Sequence, residues 1–284
     1  MNKRMIFYML GRLLIFEGLL LLLPVAVALI YRESTVFAYL ITALSLILAG
    51  FLLSLIKTRN KAIFSKEGLV TVALGWVVLS IGGAIPFCIT KEIPSFVDAL
   101  FESVSGFTTT GASILSDLST ISRTSIFWRS FTHWIGGMGV IVFIIAASKM
   151  ASGGGNIYLM RSESTGPDVS KLVPSAKGTA KILYLIYIAM TLAEIIALLL
   201  CRLSFFDAVT LSFGTAGTGG FGIKNGFVAE GNVAAQMVIA VFMMLFGINF
   251  SCFYLLLFGK IREFFKNEEL RVYLLLMFGA VATV

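Results

Sequence analysis

The sequence predicts an all-α integral membrane protein built from repeats of helix, re-entrant pore loop and helix, with two additional N-terminal transmembrane helices. Three observations carry that expectation: a composition unlike that of a soluble domain, a series of full-length apolar runs, and two short segments that repeat one another. Of 284 residues, 58% are hydrophobic and 13% charged, and the mean hydropathy is +0.96. Such a chain belongs in hydrocarbon.

Apolar runs near or above the ~20 residues needed to cross a bilayer cover 9–31, 36–56, 68–90, 125–148, 178–201 and 234–258. A seventh starts at 270 and is still apolar at Val284, so the sequence is expected to stop inside a span and to belong to a longer chain. The first run has spanning length and no clear small-residue cleavage site after it, and reads as a retained helix rather than a signal peptide.

Lysine and arginine set the orientation. With the N-terminus in the cytoplasm, sixteen of the 22 basic residues fall on the cytoplasmic side, and only Arg32, Lys91, Arg123, Arg129, Arg202 and Lys224 fall outside. That is a positive-inside bias, which accounts for the net charge of +7 as topology. A nucleic-acid role would need a soluble basic module, which the sequence lacks. Cys88, Cys201 and Cys252 lie in or beside predicted spans and form neither a disulfide framework nor a CxxC metal pair. They read as packing residues.

The chain repeats itself. A shift of 109 positions places Ser95, Phe96, Asp98, Ala99, Ser103, Thr109 and Gly111 on Ser204, Phe205, Asp207, Ala208, Ser212, Thr218 and Gly220. Each segment sits between a span that leaves the cytoplasm and one that returns to it, so it begins and ends on the outer side and cannot cross. About ten residues form a short half-helix, with Ser and Asp at its start to cap free amides and suit the positive dipole end. The Thr/Gly stretch then returns as extended backbone, which survives at membrane depth only when buried in protein or lining a water-filled path.

This geometry aims the partially negative C-terminal end of each half-helix at the membrane centre, where it favours cations. Thr109, Thr110 and Gly111, with Thr218, Gly219 and Gly220, are the candidate filter residues, flanked by Thr108, Ala112, Gly217 and Phe221. Their carbonyls could replace an ion's hydration shell. A carbonyl ring for potassium takes four such loops, and two are present. Asp98, Glu102, Asp207 and Glu194 are candidate supporting residues. Glu102 could aid a cation or bond backbone behind the filter, and Glu194 could support the second loop through hydrogen bonds. Glu17 could snorkel or pair with Arg12.

The strings Asp98-Ala-Leu-Phe-Glu-Ser-Val-Ser-Gly-Phe-Thr-Thr-Thr-Gly-Ala-Ser113, Trp128-Arg-Ser-Phe-Thr-His-Trp-Ile-Gly-Gly-Met-Gly139 and Thr218-Gly-Gly-Phe-Gly-Ile-Lys-Asn225 resemble the Trk, Ktr and HKT superfamily of potassium transporters. The likeness is strongest to the membrane subunit of bacterial Trk systems and covers nearly the whole chain. It implies a potassium-channel-like pore of four non-identical repeats, of which the first two are present, with potassium as the transported ion at the filter residues and no cofactor. It further implies a multi-pass protein of the bacterial inner membrane, a homodimer in contact with lipid, and a cytoplasmic nucleotide-binding regulator. Gly222 stands where a Ser is common in that family. The organisation expected is an N-terminal two-helix region at 1–62 and a first pore repeat at 63–150 with its loop at 95–113. A cytoplasmic connection at 151–176, a second repeat at 177–262 with its loop at 203–222, and the start of a third at 263–284 follow.

Other motifs weigh less. Gly217-x-Gly219-x-x-Gly222 spells a dinucleotide fingerprint but follows a membrane half-helix instead of a strand. Ser152-Gly-Gly-Gly-Asn156 lacks the Gly-Lys-Ser/Thr ending of a phosphate loop. The basic stretch 149–177 reads as a solvated connection or a contact for anionic lipid or a partner. His133 is the only histidine, so it cannot make a two-His metal site; helix packing is its expected role, with Trp134 at the membrane interface and Gly136, Gly137 and Gly139 giving close approach to the filter. Convergent catalytic groups are lacking, and an enzyme is not expected. The alternatives to potassium uptake are a sodium or mixed monovalent cation transporter of the same fold and a non-conducting membrane scaffold.

Overall fold

The structure, a computed structural model, describes residues 2–56, 65–139, 176–226 and 230–283. Among them every regular element is a helix. Residues 140–175, with most of the expected cytoplasmic connection and the far end of the 125–148 run, lie outside the described residues.

Helices α1 (Lys3–Leu20) and α2 (Leu22–Tyr31) form one 29-residue apolar stretch. It is interrupted at Leu21 because Pro24 has no amide to donate to the preceding turn. A tight turn leads to α3 (Val36–Ser54), which packs back on α1. Gly11 of α1 and Gly50 of α3 bring the two backbones together, so that a Cβ on Gly11 would lie 2.7 Å from the Gly50 carbonyl. Small residues are what allow such contact where lipid supplies no hydrophobic drive between helices.

Helix α4 (Ser65–Thr90) leads to the half-helix α5 (Phe96–Phe107), the return segment, and α6 (Arg123–Gly137). The second unit runs through α7 (Ala176–Leu200), the half-helix α8 (Phe205–Ala216) and α9 (Val233–Phe246). Helix α6 packs on both half-helices and is the central element of the bundle. Outward-pointing Leu29, Phe37, Leu48, Leu185 and Leu200 cover a surface that would be costly in water and is at ease in hydrocarbon.

Among the described residues, four helical stretches are long and apolar enough to span: Lys3–Tyr31, Val36–Ser54, Glu67–Thr90 and Lys181–Leu200. The run expected at 234–258 is not one helix. It breaks at Gly247 into α9 and α10 (Phe250–Leu257). Two side chains brace the break: the Tyr273 hydroxyl donates to the Met244 carbonyl at 2.9 Å, and Asn249 donates to Glu269 at 3.0 Å. Both partners come from α12 (Glu268–Thr283), which follows the short α11 (Ile261–Lys266).

Candidate functional site

The two half-helices are 12 residues each and start alike. The Ser95 hydroxyl accepts from the Asp98 amide at 3.5 Å, and Ser204 accepts from the Asp207 amide at 3.1 Å. These bonds satisfy donors that a helix start leaves free. Asp98 and Asp207 occupy the first turns, where negative charge suits the dipole. Asp207 also pairs with Lys224 at 2.7 Å.

The half-helices end alike as well. Thr110 N–H donates to the Ser105 carbonyl and Thr109 N–H to that of Gly106, both at 3.0 Å. One repeat on, Gly219 N–H donates to Gly214 and Thr218 N–H to Thr215, at 3.2 and 2.8 Å. This is the Schellman closure, which requires a left-handed residue after the cap. Thr109 and Thr218 take that conformation, both at φ 55°, and Gly111 and Gly220 follow at φ 75°. A β-branched residue held there costs about 1–2 kcal/mol, and the chain bears it twice at the same register. The closure satisfies carbonyls inside each half-helix. Among the described residues, no backbone amide donates to the carbonyls of Thr109, Thr110, Gly111, Thr218, Gly219 or Gly220.

The returns face each other. A Cβ on Gly111 would collide with the Gly219 carbonyl, so Gly111 is fixed by its φ and by the neighbouring loop together. Helix α6 reaches the base of both loops through Gly136, packed on Phe107 and Thr109, and Gly137, packed on Ala216 and Gly217.

A buried polar network stands behind the first loop. The Arg129 Nε lies 2.6 Å from Glu102, and this pair is almost wholly removed from solvent. Glu102 also accepts from the Ser113 hydroxyl at 3.0 Å and from the Ile114 amide at 3.1 Å. Arg129 then extends to the second loop: one amino group donates to the Gly222 carbonyl at 3.2 Å, and the guanidinium sits 4.2 Å from the Phe221 ring centre. Its other amino group donates to Ser113 at 3.1 Å. Ser105 donates to the Ala112 carbonyl at 2.5 Å and ties the first return to its half-helix.

The start of α6 is pinned by two carboxylates from connections between other helices, Glu33 between α2 and α3 and Glu92 between α4 and α5. Glu33 accepts from the Arg123 and Thr124 amides at 2.9 and 3.0 Å, and Glu92 accepts from the Ser122 amide at 2.7 Å and from the Ser125 hydroxyl. Acids at a helix N-terminus complement its dipole. The α2–α3 and α4–α5 connections therefore hold α6, and α6 holds the loops.

Several sequence readings change. Arg129, counted among the outer basic residues, is buried within α6; as an arginine inside an apolar run it carried a signal that a charge count overlooks. Glu33 and Glu92 had no motif to mark them. Glu102 bonds backbone behind the candidate filter. Glu17 is buried against Gly82, with no hydrogen-bond partner among the described residues, and does not pair with Arg12. Glu194 is buried beside Thr215 and outside hydrogen-bond geometry with it. Trp134 is half-buried, and its Nε1 donates to Thr191 of α7 at 3.1 Å. His133 packs inside, its ring 3.9 Å from that of Phe221 and against Gly219.

Two half-helices that enter and return on one side, joined to long apolar helices, define a membrane protein of the pore-loop class. The chain belongs to the TrkH family of cation transport proteins, whose family model matches residues 35–284. It is 35% identical over 280 residues to the Trk system potassium uptake protein TrkH of Salmonella typhimurium, covering 96% of this chain and 58% of that protein. It is also 35% identical over 256 residues to a cation transporter of Methanocaldococcus jannaschii, covering 90% of this chain and 53% of the other. The crystal structure of the potassium transporter TrkH from Vibrio parahaemolyticus superimposes with a TM-score of 0.75 at 31% identity, over 89% of this chain and 52% of that one. The chain thus spans a little over half the length of these relatives.

Proposed function

We propose that the two loops form part of a carbonyl-lined filter through which the protein takes up potassium across the bacterial inner membrane. The observation that carries this reading is the pair of Schellman-closed half-helices with the same φ values at Thr109/Thr218 and Gly111/Gly220. Their returns meet with carbonyls that accept from no backbone amide among the described residues, at the negative ends of two helix dipoles. Thr109, Thr110, Gly111, Thr218, Gly219 and Gly220 would line the path, with Thr108, Ala112, Gly217 and Phe221 flanking it. The role is transport, not catalysis, and potassium is the cargo. Glycine at both aligned positions, Gly111 and Gly220, supports potassium over sodium.

The division into an N-terminal pair of helices, two pore repeats and the beginning of a third belongs to the same proposal, as does a cytoplasmic N-terminus. Relatives named as parts of a Trk system support a membrane subunit that works with a cytoplasmic nucleotide-binding regulator. The resemblance to the superfamily adds a homodimer to the proposal.

The test is growth and potassium uptake in cells lacking their own potassium transporters, at low external potassium, with these residues in their native reading frame. Rescue that is lost on Gly111→Asp supports the filter. Absence of rescue by protein shown to reach the membrane, with the regulator supplied, rejects potassium uptake and leaves the scaffold reading; rescue by sodium influx alone would favour the sodium alternative.

A further inference from the structure

The network behind the first loop is absent from the second. At the aligned positions, Glu102 becomes Leu211, Ser113 becomes Gly222 and Arg129 becomes Val238. Leu211 and Val238 lie in one apolar cluster. An ion pair therefore does for the first unit what apolar packing does for the second. Holding α6 against α5 needs no charge. Since apolar packing suffices within the second unit, the arginine must be explained by something other than holding one unit together.

What distinguishes Arg129 is its reach. Its guanidinium contacts four groups from two loops: Glu102 and Ser113 in the first, and the Gly222 carbonyl and Phe221 ring in the second. These groups flank the two candidate filter segments, residues 109–111 and 218–220, which meet at Gly111 and Gly219. A planar fork with five fixed donors can hold several groups at set separations, which an ammonium cannot. A bare positive charge beside a cation path would repel the cargo, and Glu102 neutralises it at 2.6 Å.

We propose that Arg129 is a positioning residue that sets the spacing of the first loop against the second, and through that spacing the size of monovalent cation the pair accepts. This rests on the reading of the loops as a filter. Arg129 touches no ion; it acts through the Gly222 carbonyl and the Ser113–Glu102 pair.

Two variants separate this role from a merely structural one. Arg129→Lys keeps a charge beside Glu102 and loses the fork. Glu102→Leu with Arg129→Val gives the first unit the apolar pair of the second, which packs without any cross-loop contact. Each is made in the native reading frame with Cys88, Cys201 and Cys252 replaced by serine, purified with any regulator subunit and reconstituted in liposomes. The readouts are competition of sodium and caesium against rubidium uptake, and the distance distribution between spin labels at Ile114→Cys and Lys224→Cys, both exposed at the loop mouths. In both variants discrimination between the ions should fall by about tenfold or more, the loss expected when a preorganised constellation loosens, and the distance distribution should broaden or shift. Wild-type discrimination with an unchanged distance in either folded variant overturns the proposal. If the parent protein moves no monovalent cation, the transport reading fails by itself, and the label distances still decide whether Arg129 spaces the loops.

Discussion

Behind Thr109 and Gly111, the first loop is backed by Glu102, Ser105, Ser113 and Arg129; at the aligned positions the second carries Leu211, Gly214, Gly222 and Val238. The backbones nevertheless take the same left-handed turns, at φ 55° and 75°. The comparison separates what a pore loop needs from what one copy happens to use. The half-helix, its serine cap and its Schellman return recur, so they define the loop. The wall behind it does not recur. The first unit supplies polar bonds from its own residues, whereas the second leans on α6 of the first through His133, Arg129 and Gly137.

The sharpest way to break the comparison is to exchange the walls. Glu102→Leu alone leaves Arg129 buried without its counter-charge and should lower stability by about 3–5 kcal/mol. Adding Arg129→Val should recover most of that loss, since a buried ion pair replaced by apolar packing is often neutral or better. In the second unit, Leu211→Glu places a carboxylate where the cluster around Val238 and Ile239 offers no cation, and it should be as damaging as Glu102→Leu. Thermal unfolding of the detergent-purified proteins checks all three. Additive losses in the double variant would mean that Glu102 and Arg129 are not one unit.

A smaller difference separates the two glycines. Alanine at either position must hold φ near 75°, a cost of about 1–2 kcal/mol. At Gly111 the new methyl also collides with the Gly219 carbonyl, whereas at Gly220 the nearest atom is Met243 Cε at 3.6 Å. Gly111→Ala should therefore abolish ion flux and lower the melting temperature clearly more than Gly220→Ala, which should leave a folded and partly active protein. Equal effects would show that the loops do not approach as described.

The recurring parts were legible in the sequence, and the differing parts were not. The serine caps, the Asp first turns and the Thr/Gly returns announce themselves because local backbone chemistry demands those residue types at fixed spacing. Gly136 and Gly137 were also readable, since close helix approach in a membrane selects small residues. Arg129, Glu33 and Glu92 were not, because their partners lie in other elements: Glu33 meets α6 across 90 residues of chain. Glu17 was misread for the same reason. Its nearest basic residue in sequence faces elsewhere, and it is Gly82 of another helix that receives it. The break at Gly247 was hidden inside an even apolar run and depends on Tyr273 and Glu269 from α12.

The smallest effect concerns a direct tie between the loop exits. Asp117, after the first return, accepts from the Asn225 amide at 2.6 Å, while Asn225 accepts from the Leu118 amide at 2.7 Å. Bonds from Asn225 and Ser119 hold the Asp117 carboxyl below its ordinary value of 3.8. A carboxyl lowered in the folded state stabilises fully above its unfolded value and loses that contribution as pH falls through the folded one. The clasp should hence stay closed, and the Leu118 amide protected from hydrogen exchange, from neutral pH down to the ordinary carboxylate range, opening only in stronger acid. Asp117→Ala should remove that protection at every pH while changing global stability little, because the pair is solvent-exposed. Protection at Leu118 that falls away already between pH 7 and 5 would place the titrating group elsewhere and leave the second loop's exit to the Lys224–Asp207 pair and the Arg129–Gly222 bond.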